Sequence, residues 1–79
     1  MFINKTEDGL NNLCGKNVAK YRIKMNISQR KLADMLQIIG LDIDKNAIQR
    51  IEAGKRFVTD IELKKLAQVF ETDINSLLE

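Results

Sequence analysis

The stretch Asp44-Lys45-Asn46-Ala47-Ile48-Gln49-Arg50-Ile51-Glu52-Ala53-Gly54-Lys55-Arg56 decides how the rest of the chain is read. Asp44 is a strong N-cap residue, because its side-chain oxygen can accept from the unbonded backbone N–H groups of a first helical turn. Gly54 suits the left-handed position that ends a helix. Between them Ala47, Ile48 and Ile51 recur on one face at helical spacing. The opposite face carries Lys45, Asn46, Gln49 and Arg50, and two more cations, Lys55 and Arg56, follow directly. A short helix is expected, with one face for a core. The other face has the side-chain chemistry that reads base edges and phosphates: Arg can bond guanine through two atoms, and Asn or Gln can do the same to adenine.

The segments on either side repeat this grammar. Ile43 before the Asp44 cap and Ile48 after it occupy the two places of a hydrophobic staple. Upstream, Ser28 is an N-cap with Ile27 and Leu32 as its staple; Leu32, Met35, Leu36 and Ile39 continue the apolar face, and Gly40 stops it. Leu41-Asp42-Ile43 connects the two helices. Downstream, Thr59-Asp60-Ile61-Glu62 is a capping box with Val58 and Leu63 as its staple, and Leu63, Leu66, Ala67 and Phe70 form an inner face. A short last helix follows Asp73 with Ile74, Leu77 and Leu78. The first helix is expected from about Leu13 to Met25, capped by Asn11 or Asn12, with Leu10, Cys14, Val18, Tyr21 and Met25 as its stripe. Gly15 interrupts it near the start. Residues 1–12 are polar and lack a period, which predicts a flexible N-terminal arm, and 13–79 form one domain without a linker. The reading is all-α, a compact bundle of five short helices.

With 79 residues, no proline and four isolated glycines, the chain suits one small helical domain rather than a sandwich or barrel. It has no histidine and a single cysteine. No metal site is expected from such a set, Ser28 and Ser76 have no histidine to activate them, and no glycine-rich phosphate loop is present. Asp42 and Asp44 are explained by a loop and a cap. The sequence supports no enzyme, no cofactor and no small-molecule ligand. Cys14, on an apolar stripe, reads as a small buried hydrophobe that suits a reducing compartment. Neither a signal-peptide run at the start nor a membrane-length apolar segment is seen, so a cytoplasmic location is expected. The net charge of +2 is uninformative, but its distribution is not: residues 16–56 hold ten Lys/Arg against four Asp/Glu, between flanks of −1 and −3. A basic middle is what a polyanion partner requires.

Two helices joined by a short connection, the second basic and amide-rich on its outer face, form the pattern of a helix-turn-helix. The chain resembles the lambda-repressor-like (Cro/CI-type, XRE) helix-turn-helix domains over about residues 15–78. The resemblance is carried by Ile27-Ser28-Gln29-Arg30-Lys31-Leu32-Ala33, by Ala47 through Arg56, and by Leu66-Ala67 with Ile74-Asn75-Ser76-Leu77-Leu78. It implies that Lys45, Asn46 and Arg50, with Gln49 nearby, read bases. It implies phosphate contacts from Gln29, Lys55 and Arg56, and a structural salt bridge between Arg22 and Glu52. One departure stands out. Where the family has a short Leu-Gly-Val-Ser-like turn, Leu36 through Asp44 is longer by about five residues, which predicts an extra turn on the second helix before Gly40.

These features together predict a sequence-specific regulator of transcription, a repressor, that binds double-stranded DNA as a homodimer on two half-sites. Ile74, Leu77, Leu78 and Phe70 either supply the dimer surface or close the core. The alternative is a protein-interaction module on the same fold, an antitoxin or an antagonist of another regulator, for which Ile38, Ile39 and Leu41 would provide an apolar surface.

Overall fold

The computed structural model describes residues 5–79, which form five helices in the order α1 (Gly15–Lys24), α2 (Gln29–Ile38), α3 (Lys45–Glu52), α4 (Asp60–Val69) and α5 (Ile74–Leu78). No strand occurs among the described residues. α3 packs against α1 and α2, α4 against α2 and α5, and α5 closes back onto α1. Val18, Leu32, Leu36, Ile48, Ile51, Leu66 and Leu77 are fully buried at the centre, one or more from every helix. Burial of so many aliphatic side chains, at about 1.5–3 kcal/mol each, is the main force holding helices that are too short to persist alone. No helix among the described residues is long and apolar enough to cross a membrane.

The starts of α2 to α5 are capped as the residue pattern predicts, whereas the N-cap position of α1 is Cys14, whose side chain makes no cap bond. Ser28, Asp44 and Asp73 accept from the backbone N–H three residues on, at 3.0, 2.8 and 2.7 Å. Thr59 and Glu62 complete a reciprocal capping box, at 3.2 and 3.0 Å. The stops are also alike. After α2, Gly40 turns left-handed at φ +96°, its N–H bonds the Gln37 carbonyl, and the Leu41 N–H reaches back to Leu36. This is a Schellman closure. The same closure follows α3 through Gly54, α1 through Asn26 and α4 through Glu71.

α1 differs most from its sequence reading. It begins at Gly15 rather than Leu13, and Leu13 is exposed. The reason is tertiary: a Cβ at Gly15 would collide with the Ile51 carbonyl oxygen, so the glycine lets the start of α1 meet the end of α3. Of the expected stripe, Cys14 and Val18 are buried and Tyr21 stacks on Phe70 with ring centroids 5.4 Å apart. Met25 is exposed, and Leu10 belongs to a different contact, against Gly54. Within the segment expected as a loose arm, Asn11 and Asn12 bond to the end of α3 and the turn after it; Met1–Asn4 lie outside the described residues.

The long connection is held at both ends. Lys65 of α4 donates to the Ile39 carbonyl at 2.9 Å, and Gln37 donates to the Ile43 carbonyl at 2.8 Å. Ile39 and Leu41 pack on the core, while Ile38 is 82% exposed.

Candidate nucleic-acid interface

The apolar face of α3 is seated by Ile48 and Ile51, with Ala47 half-buried beside them. That placement sends Lys45, Asn46, Gln49 and Arg50 to solvent, and Lys55 follows on the next turn, also exposed. None of these five side chains has a hydrogen-bond or ion-pair partner among the described residues. Asn46, Gln49, Arg50 and Lys55 line one shallow concavity of about 290 Å³. Asn46 and Lys45 also border a second, between α2 and α3, together with Arg30, Asp34 and Gln37. The structure thus brings the expected base-reading residues and Lys55 onto one continuous surface. It adds Arg30, which the residue pattern had placed only within a family motif.

Glu52 is the hinge pin behind that surface. Arg22 Nε lies 2.6 Å from Glu52 Oε2 and Nη2 lies 3.1 Å from Oε1, so the guanidinium grips both carboxylate oxygens. Its remaining nitrogen, Nη1, donates to the Ile27 carbonyl at 2.9 Å. Gln29 Nε2 donates to Glu52 Oε1 at 3.1 Å. One carboxylate therefore ties the end of α3 to α1, to the turn after α1 and to the first residue of α2. The side chains are 16% and 9% exposed, which makes this a nearly buried, charge-assisted fork. Hydrogen bonding to Glu52 raises the Arg22 pKa above its already high ordinary value.

Arg56 is placed differently from its expected phosphate role. Its guanidinium forks onto Glu62 at 2.9 and 2.8 Å and also donates to the Phe57 carbonyl. With those donors engaged it braces the loop between α3 and α4 instead of standing free. The Arg56 guanidinium, followed by the Thr59 backbone N–H, holds the Glu62 carboxyl below the usual carboxylate range. Cys14 sits in the core, where burial pushes its thiol pKa up, the opposite of what a reactive cysteine needs.

Two residues that the local pattern offered only as caps for α1 complete the site. Asn12 Nδ2 donates to the carbonyls of Ile51 and Arg56 at 3.1 and 2.8 Å, and its Oδ1 accepts from the Gly15 N–H. Asn11 Nδ2 donates to the Lys55 carbonyl at 2.9 Å. These three carbonyls lie about 40 positions away in the chain, and no local signal marks such a contact.

Comparison with known proteins agrees with this geometry. A family model described as helix-turn-helix matches residues 18–77. Among solved structures, the crystal structure of the restriction-modification controller protein C.AhdI from Aeromonas hydrophila is similar, at 24% identity and a TM-score of 0.69, covering 80% of this chain and 84% of that one. At that identity the likeness speaks to the fold alone. No curated protein sequence matches the chain.

Proposed function

The chain belongs to the XRE-type helix-turn-helix family of DNA-binding regulators, and from that premise we propose that it is a site-specific repressor of transcription that lays α3 in the major groove. The observation that carries this reading is the surface on which Lys45, Asn46, Gln49, Arg50 and Lys55 stand exposed and without partners among the described residues. α3 has eight residues and is about 12 Å long, enough to lie along a major groove, whose width of about 12 Å admits the diameter of a helix. Asn46 and Gln49 offer amides to adenine, and Arg50 offers a fork to guanine. Lys45 opens the helix nearest the groove, while Lys55 and Arg30 flank it toward the phosphates. Gln29 keeps one amide proton on Glu52 and has a second for a phosphate oxygen, joining the docking contact to the fork behind α3.

Helices this short read few base pairs, so the repressor acts as a homodimer on two half-sites about one helical turn apart. Phe70 and Leu77 are buried and close the core, which removes them from any dimer surface. Ile74 and Leu78 stay exposed for the second copy, and Leu78 borders a cleft of about 200 Å³ with the exposed Leu13 and Phe57. The competing protein-docking reading rested on the apolar insertion. Ile39 and Leu41 are spent on the core, so only Ile38 remains to support it.

Selection of duplexes from a random pool, followed by anisotropy titration at several salt concentrations, tests the proposal. An enriched, partly palindromic duplex is expected, with affinity falling steeply as salt rises. Arg50→Ala or Asn46→Ala is expected to weaken that duplex by about 1–3 kcal/mol and to relax preference at one position. A pool that emerges unenriched defeats the reading.

A further inference from the structure

The segment before α1 makes a set of contacts that a disordered leader would not. Thr6 and Leu10 close a small loop, with the Thr6 N–H on the Leu10 carbonyl and the Leu10 N–H on the Thr6 hydroxyl. Leu10 then packs on the bare face of Gly54, where a Cβ would come within 2.8 Å of its side chain. The Asn11 N–H bonds the Gly54 carbonyl at 2.8 Å. With the side-chain amides of Asn11 and Asn12, the carbonyls of Ile51, Gly54, Lys55 and Arg56 all accept from this segment. These are the carbonyls of the turn that carries Lys55. The family match begins only at residue 18, so the donors of these contacts lie outside the matched range and their acceptors inside it.

We propose that Leu10-Asn11-Asn12 is a clasp that fixes the turn after α3 and thereby sets where Lys55 meets the phosphate backbone, making Asn11 and Asn12 positioning residues for DNA binding. The inference rests on the DNA-binding reading above and names how one contact of that surface is held. The Lys55 backbone is pinned on both sides: its N–H bonds the Arg50 carbonyl at 2.9 Å and its carbonyl accepts from Asn11. Beyond it, Arg56 is gripped by Asn12 through its carbonyl and by Glu62 through its guanidinium. A turn ordered in this way loses little freedom when its lysine meets phosphate, which is the general route by which preorganisation raises affinity.

Asn11→Ala separates positioning from folding. It removes one exposed hydrogen bond, and it also removes a buried side-chain oxygen, Asn11 Oδ1, that has no partner, so the fold is expected to persist. The experiment is a double-substitution cycle with Lys55→Ala on the duplex enriched by selection, read by anisotropy across salt concentrations. Asn11→Ala is expected to weaken binding roughly two- to tenfold and to lower the salt slope by about one, as Lys55→Ala does. In the Lys55→Ala background the same change is expected to have no further effect. Asn12→Ala, assayed below its own melting temperature, should behave alike. Additive losses with an unchanged slope, or no loss at all, overturn the clasp while leaving the DNA reading intact. Failure of the parent to bind any enriched duplex overturns both.

Discussion

The two ends of α3 are held by different means. Its last turn is tied by a nearly buried Arg22–Glu52 fork, by Gln29 and by Asn12. Its first turn rests on the Asp44 cap and on one side-chain bond across the connection, from Gln37 to Ile43. Lys45 and Asn46 sit at the lightly held end, while Lys55 sits at the heavily held one. On the proposed docking the difference divides the work: the finish of α3 fixes the helix to the domain, and the start presents Lys45 and Asn46. A longer connection is tolerable at the start because little else is anchored there. The same insertion after Glu52 would carry the carbonyls of Gly54, Lys55 and Arg56 away from Asn11 and Asn12.

Disabling the fork should therefore produce the largest effect on stability. Arg22→Ala strands the Glu52 carboxylate and Glu52→Ala strands the guanidinium, each nearly out of water, and such losses cost about 3 kcal/mol or more. Chemical denaturation should show a lower midpoint with an unchanged slope, and equal midpoints for variant and parent would dissolve the contrast between the ends. At the other end, Asp44→Ala removes only the cap and should cost about 1 kcal/mol. If Asp44→Ala lowers the midpoint as far as Glu52→Ala, the start of α3 is anchored as firmly as its finish and the division of tasks is wrong.

Much of this arrangement is legible in the residues because its grammar is local. A cap acts on an N–H three positions away, a staple spans five, and a left-handed glycine ends a helix within the same turn. Ser28, Asp44, Thr59, Asp73, Gly40 and Gly54 could therefore be placed from their neighbours alone. Gly15 could not: it looks like a weakness in α1 until Ile51 is brought against it. Asn11 and Asn12 look like no more than caps for α1, because the carbonyls their amide nitrogens serve come from distant parts of the chain. Arg56 was drawn toward phosphate by its family position, whereas a nearer carboxylate, Glu62, holds it in the structure. Phe70 and Leu77 had two readings on a helical pattern, and burial decides between them. What a helical pattern conceals is which apolar or polar side chain a distant backbone will reach.

The smallest expected effect concerns that Arg56–Glu62 pair, which supports the turn after α3 from the side opposite the clasp. Glu62→Gln is the informative change, because glutamine at this position still serves a capping box and so removes the charge while keeping the shape. The Arg56 guanidinium and the Thr59 N–H depress the Glu62 pKa in the folded protein. A group whose pKa falls on folding contributes its stability in full above the unfolded value, about 4.3 for glutamate, and loses it as pH drops through the folded value. The parent should then exceed Glu62→Gln by roughly 1 kcal/mol near neutrality, a modest figure because Arg56 is 30% exposed and partly screened by water. The gap should narrow progressively below the ordinary glutamate range, until the two denaturation curves coincide at strongly acidic pH. A gap that stays constant through the acid range would mean that shape rather than charge braces this side of the turn.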